Sequence, residues 1–211
     1  MRLTKKLFFA TFLAAGAFCI GAQDSPAVDA QESAMDKLDG QIFYLENYLN
    51  QGPPNFKSEK EEAGVREKLA SAIAMAEKMG EQNPNSAPIK NQIGKLYQMA
   101  HNIDVDSSWE KAEKNLKEAM RLDSNFVDPY VSLGFLYVGA DMGFVKDAEK
   151  LFLKAQSLNG KKPLLQAHRG LVYVYDYLGE PKKAIQEADL VLKLSPQDDE
   201  IRNRRATIKS K

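Results

Sequence analysis

Apolar residues recur at steps of three and four over most of the chain, which is the spacing of one buried face on an α-helix. Two such stripes lie towards the N-terminus and are separated by the Gly-Pro-Pro stretch at 52–54. Their apolar positions are Met35, Leu38, Ile42, Leu45 and Leu49, followed by Val65, Leu69, Ile73, Ala76 and Met79. Because glycine and proline interrupt helices, the pattern predicts a helical hairpin over residues 34–85.

A repeat with a period of 36 residues organises the chain from about residue 86 onward. Ala112, Ala148 and Ala184 are 36 residues apart, and the same step relates three further sets of positions. These sets are Leu116, Phe152 and Ala188, then Ala119, Ala155 and Val191, then Leu122, Leu158 and Leu194. A Gly-x-x-Tyr step precedes each alanine, at Gly94/Tyr97, Gly134/Tyr137 and Gly170/Tyr173. Small residues in these columns let two helices approach closely, so each repeat is predicted to be a hairpin of packed helices.

These columns resemble the tetratricopeptide repeat (TPR), a helix–turn–helix unit with the pattern W-x2-L-G-x2-Y…A-x3-F…P. The second copy matches best, through Tyr130, Leu133, Gly134, Tyr137, Ala148, Phe152 and Ala155. The resemblance covers about residues 86–197 and implies three repeats there, with 34–85 as a degenerate N-terminal hairpin. It implies an all-α fold, a helical-hairpin repeat solenoid of about four hairpins with a C-terminal capping helix over 198–211.

The first 22 residues have the composition of a secretory signal peptide, because three positive charges at 2–6 precede an uncharged apolar stretch at 7–22. We expect residues 1–22 to be removed, residues 23–33 to form a flexible linker, and the product to be periplasmic or secreted. The apolar stretch has 16 residues, fewer than the roughly 20 that span a bilayer. A lipid anchor at Cys19 and an uncleaved membrane anchor stay open as alternatives, and membrane contact is expected only through this N-terminus.

Charge and composition restrict the chemistry that the chain can carry. The 29 basic and 29 acidic residues balance, which argues against a nucleic-acid partner. Cys19 is the only cysteine, and there are two histidines. The sequence contains no nucleophile motif, phosphate-binding loop or His-Glu-x-x-His zinc motif. We therefore predict no catalytic residues, no cofactor and no metal, and a chain that is not an enzyme.

The resemblance to TPR proteins implies an inner groove lined by the first helix of each hairpin. The groove residues predicted on this basis are Asn91, Lys95, Gln98, Val131, Phe135, Val138, His168, Leu171 and Tyr175. Members that clamp a C-terminal carboxylate have basic and amide side chains in this groove, whereas this chain has apolar residues in the second and third repeats. We predict a polar end and an apolar wall that bind a protein partner or peptide segment. The alternative is that the apolar residues Val131, Phe135 and Leu171 only pack between neighbouring helices or under the terminal helix.

The predicted function is that of a protein-interaction adaptor or scaffold of the cell envelope, and two alternatives stay open. The first is a small-molecule or calcium-binding accessory protein. Residues 102–113 place Asn102, Asp104, Asp106 and Glu113 at the spacing of an EF-hand loop, although Ser107 stands where that loop needs glycine. Capping of the following helix by Asp106 and Ser107 explains the same residues without a metal. The second alternative is a self-assembling structural repeat protein.

Overall fold

The structure is a computed structural model that describes residues 26–49, 54, 56–140 and 142–209. The predicted signal peptide at 1–22 lies outside the described residues. The chain divides into two compact units, residues 1–35 and residues 36–211. The contacts reported below belong to the second unit. Within the described residues no helix is both long enough and apolar enough to cross a membrane.

All regular secondary structure of the described residues is helical, which confirms the predicted all-α fold. The helices are α1 Pro26–Leu49, α2 Glu59–Gln82, α3 Ala87–His101, α4 Ser108–Leu122, α5 Asp128–Ala140, α6 Val145–Leu158, α7 Leu165–Tyr177, α8 Pro181–Leu194 and α9 Asp199–Lys209. A short 3-10 turn at Met142–Phe144 precedes α6.

Helix α1 begins at Pro26, so most of the segment predicted as a flexible linker at 23–33 is helical. The prediction was wrong because it required an apolar stripe, whereas this segment is rich in Ala, Asp, Glu and Gln. Proline is favourable in the first turn of a helix, and Ala, Glu and Gln are good helix formers without any buried face.

Local signals explain where the other helices begin and end. The Ser58 hydroxyl accepts a hydrogen bond from the backbone N–H of Glu61 at the start of α2. Ser86 caps α3 in the same way. Gly160 and Gly179 have φ angles of +71° and +70°, a left-handed conformation that glycine adopts without steric cost and that commonly ends a helix.

Three tight hairpins, α3/α4, α5/α6 and α7/α8, follow one another along the chain and pack side by side. In each one a fully buried alanine of the second helix, Ala112, Ala148 or Ala184, lies in the core. A Cβ atom added to Gly94 would lie 2.5 Å from Cγ of Leu116, and one added to Gly134 would lie 2.7 Å from the Phe152 ring. The absence of a side chain at these glycines is therefore what lets the helices of a hairpin approach.

Tyrosine–glutamate pairs lie between each hairpin and the helix before it. The Tyr97 hydroxyl donates to Glu77 of α2 at 2.5 Å, and the Tyr137 hydroxyl donates to Glu113 of α4 at 2.6 Å. In the third repeat the corresponding tyrosine is Tyr175, and the neighbouring glutamate of the preceding hairpin is Glu149 of α6, which helps to raise the Tyr175 pKa. The three glutamates are spaced by 36 residues, so the repeat extends back into α2.

The predicted Gly170/Tyr173 column is therefore out of register by two residues. Tyr175 occupies the position of Tyr97 and Tyr137, while Gly170 faces Phe152 of the preceding hairpin, to which an added Cβ would approach 2.2 Å. Only residues 178–180 separate α7 from α8, so the loop is short and the glycine itself is displaced.

Helix α9 covers the end of the array as the sequence predicted, through its two apolar residues. Ile201 and Ile208 are buried, while most of the other α9 side chains remain at least partly accessible. The three arginines of α9 are each paired with an acidic side chain, Arg202 with Asp199 of the same helix. Arg204 lies 2.7 Å from Asp176 of α7, and Arg205 pairs with Asp189 of α8.

Candidate binding cleft

A cavity of about 240 Å³ opens between α1, α3, α5 and the beginning of α7. It lies along the first helices of successive hairpins, which is the side where the sequence predicted a groove. Its lining residues are Glu46, Lys95, Gln98, Asp128, Val131, Ser132, Phe135, Leu164 and Gln166. Four of the nine predicted groove residues, Lys95, Gln98, Val131 and Phe135, are brought together here.

Lys95 and Gln98 form the polar side of this cleft. They are three residues apart on α3 and therefore project from the same helix face. The Lys95 ammonium donates to a carboxylate oxygen of Glu46 on α1 at 2.8 Å, and both side chains are partly exposed. The predicted groove cation is thus neutralised by Glu46, which is not one of the predicted groove residues.

Val131 and Phe135 form the apolar side of the cleft. They are four residues apart on α5, and both are half-buried. The Phe135 ring packs edge-on against the fully buried Phe152 ring, with 5.0 Å between centroids. Phe135 therefore belongs both to the cleft wall and to the core below it. Val131 is the better reporter of the cleft surface, because it has no such aromatic contact.

The acidic rim of the cleft comes from Asp128 at the beginning of α5. Its side chain is exposed and has no ion-pair partner among the described residues. An anion here is favourable to the helix because the first turn carries a partial positive charge. With Glu46 paired to Lys95, Asp128 leaves the cleft with a net negative charge.

Two further predicted groove residues lie near the cleft without lining it. Asn91 is one turn before Lys95 on α3 and is only 2% exposed. Its side-chain oxygen Oδ1 has no hydrogen-bond partner among the described residues. Val138 is half-buried near the end of α5. Neither residue presents an open surface of the cavity to a partner.

The groove prediction for the third repeat, His168, Leu171 and Tyr175, is corrected by the structure. The His168 ring nitrogen Nδ1 lies 2.6 Å from a Glu187 oxygen on α8, and Leu171 is only 1% exposed. Tyr175 packs beneath Lys183 of α8, with 5.0 Å from Nζ to the ring centroid. Burial and the neighbouring Glu149 raise the pKa of Tyr175 to about 12. All three residues therefore serve packing, as the two-residue register shift requires.

With the tyrosine register corrected, the third-repeat equivalents of Val131, Phe135 and Val138 are Arg169, Tyr173 and Asp176. All three contact α9 or the residues just before it. Arg169 pairs with Asp198 and Glu200, Tyr173 donates to Glu200, and Asp176 pairs with Arg204. Helix α9 thus covers this face of α7, and the third hairpin contributes to the open cleft only through Leu164 and Gln166 at the beginning of α7.

The loop that suggested calcium binding has a different organisation. The Asn102 side-chain amide donates to the backbone carbonyl of Leu49, and Glu113 accepts hydrogen bonds from Lys117 and Tyr137. Within this fully described loop, Asp104, Asp106 and Glu113 do not form a metal-binding cluster. The predicted helix cap is also absent, because Ser107 is left-handed with φ +58° and makes no side-chain capping bond. Backbone hydrogen bonds, such as Val105 N–H to the Ala100 carbonyl, close the loop instead.

Helix α1 and the beginning of α7 also line the cleft, although neither was predicted from the sequence to do so. Glu46, Leu164 and Gln166 line the cleft but lie outside the predicted groove positions. The corrected register of the third repeat gives Arg169, Tyr173 and Asp176, so it does not identify Gln166. Glu46 left no signal either, since the repeat columns do not extend into α1.

The helical architecture of this chain is similar to that of several solved structures. TTC0263, a thermophilic TPR protein of Thermus thermophilus, superposes with a TM-score of 0.57 at 19% sequence identity, covering 88% of this chain and 97% of that one. The chain has the tetratricopeptide-repeat fold. PilF of Pseudomonas aeruginosa shares this TPR fold with a TM-score of 0.60 at 16% identity, covering 85% of this chain and 69% of that one. MamA matches with a TM-score of 0.56 at 21% identity, covering 74% of this chain and 85% of that one.

No family model and no curated protein matches the chain. At these identities the solved structures establish the TPR fold, and function must be argued from the cleft itself. The resemblance drawn from the repeat columns is confirmed, including the solenoid architecture of packed hairpins.

Proposed function

We propose that this chain is a protein-interaction adaptor that binds a segment of a partner protein in the cleft between α3 and α5. It acts as a scaffold rather than as an enzyme. The proposal includes export to the cell envelope, since residues 1–22 have the composition of a signal peptide. A TPR array supports such a role because its first helices offer a preformed surface that needs little rearrangement on binding.

The observation that carries the proposal is the apolar side of the cleft. Val131 and Phe135 remain partly accessible in an open cavity, although the rest of their helix is largely buried. Clefts that combine an apolar surface with a few convergent polar groups are the usual binding sites of proteins. Lys95, Gln98 and Asp128 supply those polar groups here.

The size of the cleft indicates what it can hold. A volume of about 240 Å³ is below the roughly 300–1,000 Å³ of pockets for drug-sized molecules. It suits one or two anchoring side chains of a longer segment that continues over the surface. Such a short contact corresponds to affinities on the order of micromolar, so the adaptor would act together with other contacts in an assembly.

Replacement of Val131 tests this proposal. Val131→Asp places an unpaired carboxylate on the apolar wall and should reduce partner capture at least about tenfold, because apolar contact is lost and a charge is desolvated. A photoreactive amino acid at position 131 identifies the partner in cells that naturally produce the chain. The crosslinked proteins are then identified by mass spectrometry.

The matched control is position 153. Leu153 is an apolar residue of α6 that is 48% exposed and lies outside the cleft. Leu153→Asp should leave partner capture unchanged, and a photoreactive residue there should not crosslink the same protein. Equal capture by both variants would remove the cleft from consideration. N-terminal sequencing of the mature protein tests export, and a chain that still begins at Met1 would contradict it.

A further inference from the structure

Helix α1 exposes an aromatic side chain beside the cleft. Phe43 is 71% exposed, the highest value among the large apolar residues described. The adjacent positions Ile42 and Leu45 are buried, so Phe43 does not belong to the face that packs against the rest of the fold. The helix needs no exposed phenylalanine for its own stability, because its packing stripe is complete without it.

The periodicity of α1 places Phe43 on the cleft side. Residues three, four and seven apart share a helix face. Phe43 follows Asp39 by four residues and precedes Glu46 by three. Both acidic residues contact α3, since Asp39 accepts from Gln92 and Glu46 accepts from Lys95. Phe43 therefore lies at the outer edge of the face that forms one wall of the cleft.

The charged residues on the α1 face that carries Phe43 are acidic, whereas Lys68 of α2 lies over the neighbouring Tyr44 ring at 4.4 Å from its centroid. Asp36 lies seven residues before Phe43 on the same face, and Asp36 and Asp39 are both exposed. Asp128, for which the described residues offer no ion-pair partner, adds a carboxylate across the cleft. Of the described residues that line the cavity, Lys95 is the only cation, and Glu46 neutralises it. The surface thus combines apolar anchoring points, Phe43 and Val131, with a net negative rim.

We propose that the partner segment is a basic amphipathic helix that packs its apolar stripe against Phe43 and the Val131–Phe135 wall. This inference rests on the proposed function and specifies the chemistry of the partner. An amphipathic helix presents apolar residues at steps of three and four. One such face can contact both Phe43 of α1 and the Val131–Phe135 wall of α5. Lysine or arginine residues flanking that stripe complement Asp36, Asp39 and Asp128.

Two synthetic peptides of about 18 residues test the proposal. Both carry leucines at the same helical positions, and the remaining positions are lysine and glutamine in one peptide and glutamate and glutamine in the other. Binding to the full chain is measured by fluorescence anisotropy. The lysine peptide should bind at least about tenfold more tightly than the glutamate peptide. The difference should shrink when ionic strength rises from about 0.05 to 0.5 M, because salt screens rim charges.

Substitution of Phe43 separates this surface from a purely electrostatic attraction. Phe43→Ser should weaken the lysine peptide about fivefold or more, since partly exposed aromatic anchors commonly dominate binding energies. Asp36→Asn and Asp128→Asn should each weaken it about twofold to fivefold. Leu153→Ser is the matched control and should have no effect.

The outcomes distinguish this inference from the proposed function. Equal binding of the two peptides, no binding of either, or an unchanged affinity in Phe43→Ser overturns the basic-helix partner. If crosslinking at position 131 still captures a partner, the cleft remains a binding site for a segment of other chemistry. If Val131→Asp also leaves partner capture unchanged and no protein is crosslinked at position 131, both proposals fail.

Discussion

The contact between Gly170 and Phe152 provides the most direct test of the packing. Phe152 is fully buried in α6, and its ring lies against the backbone of α5 at Gly134 and of α7 at Gly170. A Cβ atom on Gly170 would lie 2.2 Å from Cζ of this ring and 2.4 Å from two further ring carbons. Carbon atoms in favourable contact are about 3.5–4.0 Å apart. Gly170→Ala would therefore force the ring or the helix to move by more than about 1 Å.

Two opposing terms determine the effect of Gly170→Ala. Alanine is favoured over glycine inside a helix by about 0.5–1 kcal/mol. Overpacking of a well-packed core costs about 1–3 kcal/mol, and here the ring has no room to retreat because Gly134 lies on its other side. We expect a net loss of about 1–2 kcal/mol in the free energy of unfolding. For a chain of this size that corresponds to a fall of roughly 2–8 °C in Tm.

Urea and thermal unfolding followed by circular dichroism measure this loss, and Gly64→Ala is the matched control. Gly64 lies inside α2, and a Cβ added there would meet no atom within 4 Å. That variant should gain about 0.5–1 kcal/mol, because only the helix preference changes. The two glycine-to-alanine substitutions should thus shift the free energy of unfolding in opposite directions.

Gly170→Ala in a Phe152→Leu variant tests whether the Phe152 ring causes the loss of stability. Phe152→Leu removes the ring atoms that the new Cβ would meet, so Gly170→Ala should be neutral or stabilising in that background. The two substitutions would then be non-additive, as expected for residues in direct contact. If Gly170→Ala stabilises the chain as Gly64→Ala does, the assignment of Gly170 to the face against Phe152 is refuted.

Two further predictions concern the contacts between repeats. The raised pKa of Tyr175, about 12 against about 10 unfolded, contributes stability that is fully present below pH 10 and lost as pH rises towards 12. In Tyr175→Phe the free energy of unfolding should fall by about 1–2 kcal/mol less between pH 9 and a pH above 11 than it does in the parent chain, as measured by urea unfolding. The same pH dependence in both chains would contradict this prediction. Arg169→Met leaves Asp198 and Glu200 without their cation, so hydrogen exchange of α9 should accelerate about tenfold while α5 is unchanged. Unaltered exchange in α9 would show that these ion pairs do not hold it.

Much of the fold could be predicted because its signals are local and repeated. Ala112, Ala148 and Ala184 recur at a fixed step, and all three are fully buried. A small residue at a helix crossing has the same steric consequence in every copy, so the repeat alone indicates packed hairpins. The apolar stripe of α1 similarly predicted a helix, and its four residues from Leu38 to Leu49 are all buried.

The candidate site was only partly predictable, because a helix face is assigned by register. In the first two repeats the Gly-x-x-Tyr step and the interhelical contacts agree, and Lys95 and Val131 both line the cleft. In the third repeat Tyr173 and Tyr175 both follow Gly170 closely, so the sequence allowed two registers. A shift of two residues turns an α-helix by about 200°, which exchanges the core and groove faces. The contacts of Tyr175 with Glu149 and Lys183 decide between them.

The sequence by itself determined that this protein is built from helical hairpins, since helix periodicity and close-packing residues act over short distances along the chain. Only the tertiary structure decided which faces stay open. Helix α1 brings Glu46 to one side of the cleft, and α9 covers the groove face of α7 through Arg169 and Asp176. These contacts join residues dozens of positions apart in the sequence. They form only when entire helices pack against one another. No repeat column encodes that arrangement.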